Sequence, residues 1–263
     1  MSGGPPVLQL RGISKRFGAV EALVGVDVTF HAHEVVALVG DNGAGKSTLV
    51  KVMAGVEPAD AGEIAWQGRP VAIRRPHDAK ALGITTVYQD LALCDNLDVV
   101  ANLFLGAEEG TAGVLNAAAM ERRARELLGV LSIQIPDLHA PIASLSGGQR
   151  QAVAIARSLL CNPRLVILDE PTAALGIAQT AQVLDLIERL RDQGLTVVLV
   201  THNLADVRAV ADRAVVLRLG RNAGEFRITD TRPEELVGAI LGAASASTRG
   251  PRPPVRLLPS TPR

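Results

Sequence analysis

Residues 35–53 read VVALVGDNGAGKSTLVKVM, and this stretch decides the fold. It opens with five aliphatic residues, Val35–Val39, a run typical of a strand buried on both faces of a parallel sheet. Residues 40–47 fit the pattern G-x-x-x-x-G-K-S/T, and a helical segment follows through Met53. A glycine-rich loop in this position turns its backbone N–H groups and the start of the helix toward a polyphosphate. The stretch therefore predicts a phosphate-binding loop in an α/β fold.

The residues of this loop are assigned to distinct contacts. Its glycines let the backbone approach the phosphates closely, since side chains would block that approach. The pattern implies that Lys46 reaches the β- and γ-phosphates and that the hydroxyl of Ser47 coordinates Mg²⁺. A glycine turn with an incidental lysine is the alternative interpretation. The predicted nucleotide contacts of the loop are Gly40, Asn42, Gly43, Ala44, Gly45, Lys46, Ser47 and Thr48.

A second strand supplies the acidic residues that a nucleotide site needs. Leu165–Leu168 is an aliphatic run, and Asp169 and Glu170 follow it directly. Ligands of α/β sheets bind at the carboxyl ends of the strands, where these two carboxylates would emerge. We expect Asp169 to hold Mg²⁺ through water and Glu170 to act as general base toward the attacking water. A pair of acids in a solvated loop is the other interpretation.

The composition agrees with an α/β fold and argues against several other classes. Of the 263 residues, 48% are hydrophobic but only 2% are aromatic, so aliphatic side chains must build the core. Lys plus Arg and Asp plus Glu balance at 27 each, which gives no electrostatic case for binding nucleic acid. The apolar runs are far shorter than the ~20 residues that span a bilayer. The first residues show no signal-peptide pattern, and Cys94 and Cys161 lack metal-ligand spacing, which suits a reducing cytosol.

The N-terminal region has the pattern of an antiparallel sheet. Val7–Ile13 and Val24–His31 show the alternating polarity of strands, and the turn-rich segment Ser14–Gly18 lies between them. Gly62–Trp66 is a further predicted strand. We therefore expect an antiparallel β subdomain that precedes and accompanies the α/β core.

Helical periodicity replaces strand signals from about residue 90 to 160. This change predicts an α-helical subdomain inserted into the α/β core. Strands and helices alternate again after Pro163, and Gly194 is predicted to end a helix. We expect one folded unit over residues 1–242, followed by a disordered, locally basic tail over residues 243–263. The helices predicted in the inserted region are Val99–Leu105, Ala117–Val130 and Gly148–Leu160.

Residues 145–151, LSGGQRQ, lie about one helix before the acidic strand. Ser146 followed three residues later by Gln149 is a capping-box pattern, so a helix is predicted to begin here with a bare, outward-facing N-terminus. With this segment the chain resembles the ATP-binding cassette (ABC) ATPases. The resemblance covers residues 7–240 and implies a P-loop NTPase fold. It also implies ATP and Mg²⁺ as cofactors and a head-to-tail dimer, in which Ser146, Gly147, Gly148 and Gln149 close on the ATP of a second copy.

The same resemblance assigns three further residues. Phe17 matches the aromatic position that stacks on adenine, and a core or surface phenylalanine is the alternative. Gln89 matches the glutamine that senses Mg²⁺ and the γ-phosphate at the junction with the helical subdomain, and His202 matches the switch histidine at the γ-phosphate. One position departs from the family: Gly176 stands where an aspartate usually links the two sites across the dimer.

The branch of the family is predicted from residues 87–106, around Gln89. This segment resembles the corresponding region of ATPases that energise monosaccharide import of the ribose, xylose and fructose type. Import of amino acids or other small solutes, export, and a soluble non-transport role are the competing hypotheses. The resemblance implies a peripheral position at the cytoplasmic face of the membrane, integral-membrane permease subunits and, indirectly, an extracytoplasmic solute-binding protein. The resemblance further implies that the permease and the binding protein, and not this chain, recognise the transported solute.

Overall fold

The computed structural model describes residues 5–111 and 114–242 of the chain. The predicted tail, residues 243–263, lies outside the described residues. The strands are β1 Pro6–Phe17, β2 Val20–His31, β3 Val35–Val39, β4 Ala61–Trp66, β5 Arg69–Val71, β6 Ile84–Val87, β7 Gly110–Thr111, β8 Val114–Leu115, β9 Leu165–Asp169, β10 Thr196–Val200, β11 Arg213–Arg218 and β12 Arg221–Arg227. The α-helices are α1 Lys46–Met53, α2 Pro76–Leu82, α3 Val99–Phe104, α4 Ala117–Val130, α5 Gly147–Leu159, α6 Ile177–Asp192, α7 Leu204–Val210 and α8 Pro233–Leu241.

A six-stranded sheet forms the centre of the α/β core, with the order β12-β11-β3-β10-β9-β6. The strands from β11 to β6 are parallel, and only β12 at the edge is antiparallel. Every residue of β3 and β10 is buried, as the aliphatic runs predict for strands covered on both faces. Because β10 lies between β3 and β9, the segments that follow these three strands emerge side by side at one edge of the sheet.

Two apolar clusters lie on opposite faces of this sheet. One contains the inward residues of the helical region together with alternate residues of β3, β9 and β10. The other joins the remaining residues of those strands to α1 and to a second, four-stranded sheet of order β2-β1-β4-β5. The second sheet is antiparallel, which confirms the predicted N-terminal β subdomain.

The hairpin at the start of the chain differs from its prediction. The turn lies at residues 18–19, whereas Ser14–Gly18 was predicted to be turn-rich, because β1 continues through Phe17. Register shifts within the β1–β2 pair accommodate the polar residues without ending the strand. Lys15 is also anchored, since its Nζ donates hydrogen bonds to the carbonyl of Pro58 at 2.8 Å and to Asp60 at 3.2 Å. These tertiary contacts hold residues 14–17 extended.

The helical subdomain is confirmed, since α3, α4 and α5 all occur between β6 and β9, which are neighbours in the core sheet. The prediction missed a small hairpin of β7 and β8 that precedes α4. Two-residue strands are too short for a period-2 pattern to reveal. Gly194 follows α6 with a φ of +94°, and its N–H bonds to the carbonyl of Arg191, which confirms the predicted helix end. Within residues 5–111 and 114–242, no helix has the length and apolar character needed to cross a bilayer.

Candidate nucleotide-binding site

The loop between β3 and α1 is shaped by close backbone contacts. Gly40 has a φ of +152°, and a Cβ there would lie 2.3 Å from the carbonyl oxygen of Leu217. Gly45 has a φ of +104°, and its Cβ would lie 2.8 Å from the carbonyl oxygen of Ala22. Only glycine fits either position without displacing backbone. The two glycines therefore let the loop fold tightly against neighbouring strands.

Lys46 lies at the start of α1 and is 8% exposed. Its Nζ donates hydrogen bonds to the carbonyl oxygens of Gly40, at 2.9 Å, and Asp41, at 3.1 Å. The loop is thus wrapped around a buried cation. The positive charge and the helix N-terminus lie together, an arrangement that attracts a phosphate group.

A cavity of about 430 Å³ opens over this loop. The structure brings most of the sequence-predicted nucleotide and metal residues to its walls, and adds three residues of β2. Gly40, which was predicted to contact the nucleotide, is not part of the cavity lining. The lining consists of Val20, Glu21, Ala22, Asn42, Gly43, Ala44, Gly45, Lys46, Ser47, Thr48, Gln89, Asp169 and Glu170.

Asp169 and Glu170 reach this cavity from the carboxyl end of β9. Burial raises the pKa of the Asp169 carboxyl, and the adjacent charge of Glu170 raises it further, whereas Lys46 lowers it. Glu170 has a φ of +50°, and its N–H donates to the carbonyl of Val200 at 2.9 Å. A non-glycine residue in this left-handed region is uncommon and is held by its surroundings. This backbone turns the Glu170 side chain toward β10.

His202 follows β10 and contacts Glu170 directly. Its Nδ1 lies 2.9 Å from Oε1 of Glu170. The histidine side chain is 70% exposed, whereas that of Glu170 is 17% exposed. The predicted general base and the predicted switch histidine therefore meet at the border of the cavity, with the histidine on the solvent side.

The residues of the 145–151 motif lie elsewhere. Ser146 and Gln149 form the predicted capping box: the Gln149 N–H donates to Oγ of Ser146 at 3.3 Å, and the Ser146 N–H donates to Oε1 of Gln149 at 3.0 Å. Ser146, Gly148 and Gln149 line a separate cavity of about 430 Å³, shared with residues 131–134 after α4 and with α6. Gly147 packs beside Leu175, and an added Cβ would lie 2.9 Å from Cδ2 of Leu175, so that side chain would have to move. One chain thus carries the phosphate loop and this motif on two different surfaces.

Phe17 does not line the nucleotide cavity. It lies at the end of β1, is 42% exposed, and has Nζ of Lys15 5.4 Å from its ring centroid. Its strand partner across the turn is Val20, which does line the cavity. The predicted stacking of Phe17 on adenine stays a prediction.

The predicted metal ligands share one chemistry. Ser47, Gln89 and Asp169 all line the cavity and offer hydroxyl, amide and carboxylate oxygens, the donors that Mg²⁺ prefers. Within the described part of the chain, no group of three or more His, Cys, Asp and Glu side chains is placed to hold a metal ion by itself. This donor set suits a Mg²⁺ ion that shares its coordination sphere with phosphate oxygens and water.

The sequence prediction missed two contributions to the site. The residues of β2 in the cavity wall follow no nucleotide motif, and only the hairpin's approach to the loop places them there. Asp206, on α7, accepts hydrogen bonds from Thr172 and Asn203, which are close in sequence to Glu170 and His202. The only local indication in the sequence was Asn203, a residue type that commonly caps the start of a helix and that here precedes α7.

Comparison with known proteins places the chain in a family. The family profile described as ABC transporter matches residues 23–173. The xylose/arabinose import ATP-binding protein XylG of Sulfolobus acidocaldarius is 43% identical over 238 residues, which is 90% of this chain and 95% of that protein. The fructose import ATP-binding protein FrcA of Rhizobium meliloti is 42% identical over 246 residues, with the same coverage of 90% and 95%.

Solved structures agree. An ATP-binding cassette of an ABC transporter in its ADP conformation superimposes with a TM-score of 0.79 at 26% identity, covering 90% of this chain and 99% of that one. A dimeric cassette in a post-hydrolysis state, bound to ADP and phosphate, has a TM-score of 0.70 at 26% identity, covering 84% and 98%. The P-loop fold and the family predicted from residues 145–151 are therefore confirmed: this ATP-binding chain belongs to the ABC transporter family.

Proposed function

We propose that this chain is the ATP-binding and ATP-hydrolysing subunit of an importer for a monosaccharide. The observation that carries the hydrolytic part is the contact of Glu170 with His202 beside the phosphate-loop cavity. Support for the transport part comes from the two relatives, which are named for the import of xylose or arabinose and of fructose.

In this proposal, Lys46 and the backbone of residues 42–48 bind the polyphosphate of ATP. Ser47 and Gln89 would supply oxygen ligands to Mg²⁺ and Asp169 would hold the ion through water, and the bound ion would neutralise phosphate charge. Glu170 accepts a proton from the attacking water, and His202, in contact with Glu170, orients that carboxylate and reaches toward the γ-phosphate. Burial and then the charge of Glu170 raise the pKa of Asp169 in the absence of a cation, and a bound Mg²⁺ would oppose this shift by favouring the ionised carboxylate.

A second copy of the chain completes each site in this proposal. The phosphate loop and the 145–151 motif line two separate cavities, so one chain cannot present both to the same nucleotide. A head-to-tail pair would place Ser146, Gly147, Gly148 and Gln149 of one copy against the ATP of the other. The similar cassette solved as a dimer with ADP and phosphate supports this arrangement.

Permease subunits are proposed to contact the surface beside Gln89, at the cytoplasmic face of the membrane. Gln89 lines the nucleotide cavity, while its neighbour Tyr88 lines a groove formed with α2, α3 and α5. A conformational change of Gln89 on nucleotide binding can therefore be passed to this groove through the peptide bond between Tyr88 and Gln89. An extracytoplasmic solute-binding protein would supply the sugar to the permease and need not touch this chain.

The test uses a Glu170→Gln variant, which is expected to retain ATP and hold the dimer closed. The tagged variant is expressed in its native cells, extracted from membranes in mild detergent with MgATP, and analysed by mass spectrometry. Recovery of a polytopic permease is expected, and its binding protein is then screened against pentoses, hexoses and amino acids. Binding of amino acids alone would contradict sugar import, and recovery of soluble partners alone would contradict transport.

A further inference from the structure

The carboxylate of Asp206 is buried and fully engaged. The residue is 3% exposed. Its Oδ2 accepts a hydrogen bond from Oγ1 of Thr172 at 2.6 Å, and its Oδ1 accepts one from Nδ2 of Asn203 at 2.9 Å. No cation among the described residues forms an ion pair with it. A buried carboxylate without an ion-pair partner is costly unless hydrogen bonds compensate, and here the Thr172 hydroxyl and the Asn203 amide supply those bonds.

The two partners of Asp206 belong to the two loops that carry the catalytic candidates. Thr172 follows β9 and lies two residues after Glu170, whereas Asn203 follows β10 and is adjacent to His202. Asp206 thus joins the two loops through residues that do not line the phosphate-loop cavity. On the nucleotide side, the same loops meet through the 2.9 Å contact between His202 and Glu170.

Asn203 is itself held in a single orientation. Its N–H donates to Oγ1 of Thr201 at 3.0 Å, and its Oδ1 accepts from the N–H of Ala205 at the start of α7 at 3.0 Å. The side-chain amide of Asn203, which donates to Asp206, is therefore oriented by the hydrogen bonds of Asn203 with Thr201 and Ala205. This leaves the Thr172 hydroxyl as the single side-chain link from Asp206 to the loop after Glu170.

The contact between Glu170 and His202 depends on the relative position of the two loops. A hydrogen bond of this kind needs a donor–acceptor distance of about 2.7–3.2 Å and no longer exists at about 3.6 Å, so a small shift between the loops would break it. The φ of +50° at Glu170 adds to this dependence, because such a backbone persists only where neighbouring contacts hold it. Misplacement of a catalytic group by 1 Å can cost about 100-fold in rate.

We propose that Asp206 is a positioning residue that holds Glu170 and His202 in contact by joining the loops that carry them through Thr172 and Asn203. The inference rests on the proposed ATPase function of this site. In this role Asp206 does not itself contact the nucleotide or the attacking water. It affects turnover by positioning Glu170.

The kinetic test compares two substitutions of Thr172 in the full-length chain. Thr172→Val keeps the shape of the side chain but removes the hydroxyl, and it is expected to lower the kcat for ATP by about tenfold, with KM within about twofold of wild type. Thr172→Ser removes a methyl group but keeps the hydroxyl, and its kcat is expected to stay near wild type. Thr229→Val removes another threonine–aspartate hydrogen bond, that of Thr229 with Asp230 on the surface, and serves as the matched control.

Hydrogen exchange of the nucleotide-free chain tests the same link without relying on turnover. In Thr172→Val, the amides of Asn203 and Ala205 are expected to exchange about fivefold faster, the effect of losing one hydrogen bond. Unchanged exchange there, a Thr172→Val kcat equal to wild type, or a Thr172→Ser kcat as low as that of Thr172→Val would each overturn the proposal. A wild-type chain without ATPase activity would instead contradict the proposed function, and the exchange result would still decide this inference.

Discussion

Nδ1 of His202 lies 2.9 Å from Oε1 of Glu170, so residues from two different loops meet beside the phosphate loop. Glu170 is mostly buried and His202 is mostly exposed. The histidine therefore lies on the solvent side of the carboxylate. This contact makes Glu170 the residue whose change has the clearest expected effect.

Glu170→Gln is expected to lower the kcat for ATP hydrolysis by at least about 100-fold, because an amide cannot accept the proton of the attacking water. ATP affinity is expected to remain within about threefold of wild type, since the phosphate loop is unchanged. Steady-state phosphate release and equilibrium binding of ATP measure the two effects. Glu63→Gln, at an exposed position of β4, is the control and should behave as wild type. Normal turnover in Glu170→Gln would refute the general-base assignment.

Gly45→Ala is expected to lower the free energy of unfolding by about 2 kcal/mol or more. The added Cβ would lie 2.8 Å from the carbonyl oxygen of Ala22 and 2.9 Å from Cδ2 of Leu23, at a backbone φ of +104°. ATP affinity should fall as well, because Lys46 follows directly. Urea unfolding and nucleotide titration measure both losses.

The matched control for Gly45 is Gly129, which lies within α4 with no atom within 4 Å of an added Cβ. Gly129→Ala is expected to raise the free energy of unfolding by about 0.5–1 kcal/mol, because alanine favours the helix. If Gly45→Ala and Gly129→Ala changed the free energy of unfolding equally, the close contact at Gly45 would not be the cause of the lost stability.

Asp169→Asn is expected to raise the thermal stability of the chain at neutral pH without nucleotide or metal. Burial, followed by the charge of Glu170, raises the pKa of Asp169, so its ionised form is disfavoured in the folded state. A carboxyl whose pKa is raised by folding binds more protons in the folded than in the unfolded chain, and stability falls as the pH rises through that interval.

The stabilisation by Asp169→Asn should therefore shrink as the pH is lowered toward the ordinary pKa of an aspartic acid, where both states are protonated. Thermal unfolding across a pH series gives the comparison. Asp185→Asn, on the exposed side of α6, should show no such pH dependence. A constant difference between Asp169→Asn and wild type at every pH would contradict the raised pKa.

Gly176→Asp is expected to raise the free energy of unfolding by a few tenths to about 1 kcal/mol. Gly176 is the N-cap of α6 with an extended backbone, and no atom lies within 4 Å of an added Cβ. The side chain of an aspartate at this position would accept a hydrogen bond from a backbone N–H in the first turn of α6. At present the Gly176 N–H donates to Oε1 of Gln179, but glycine has no side chain that could cap the helix in return. Denaturant unfolding of Gly176→Asp and Gly176→Asn separates the cap from the charge, and a loss of stability in both would contradict the capping argument.

Local patterns in the sequence were sufficient for the parts of the site that depend on neighbours along the chain. The aliphatic run of β3, the glycines that follow it and Lys46 specify the phosphate loop, because strand burial, backbone freedom and helix initiation are set within one segment. The Ser146–Gln149 capping box formed as predicted for the same reason. The family, the α/β core and the inserted helices followed from such segments.

Features that depend on distant segments were decided by the tertiary structure. The extension of β1 to Phe17 depends on Lys15 reaching Pro58 and Asp60, more than 40 residues away. The edge strand β12 has no buried residue and the helix α8 buries only Leu236, so neither carries the strong apolar periodicity from which an element is predicted.

The candidate site shows the same division. Local sequence patterns predicted that Lys46, Asp169, Glu170 and His202 would each lie at or after the carboxyl end of a core strand. Only the strand order β3-β10-β9 decided that they would meet, since it places the segments after these strands at one edge. The wall formed by β2 and the link through Asp206 likewise arise from packing between distant segments, which no local pattern encodes.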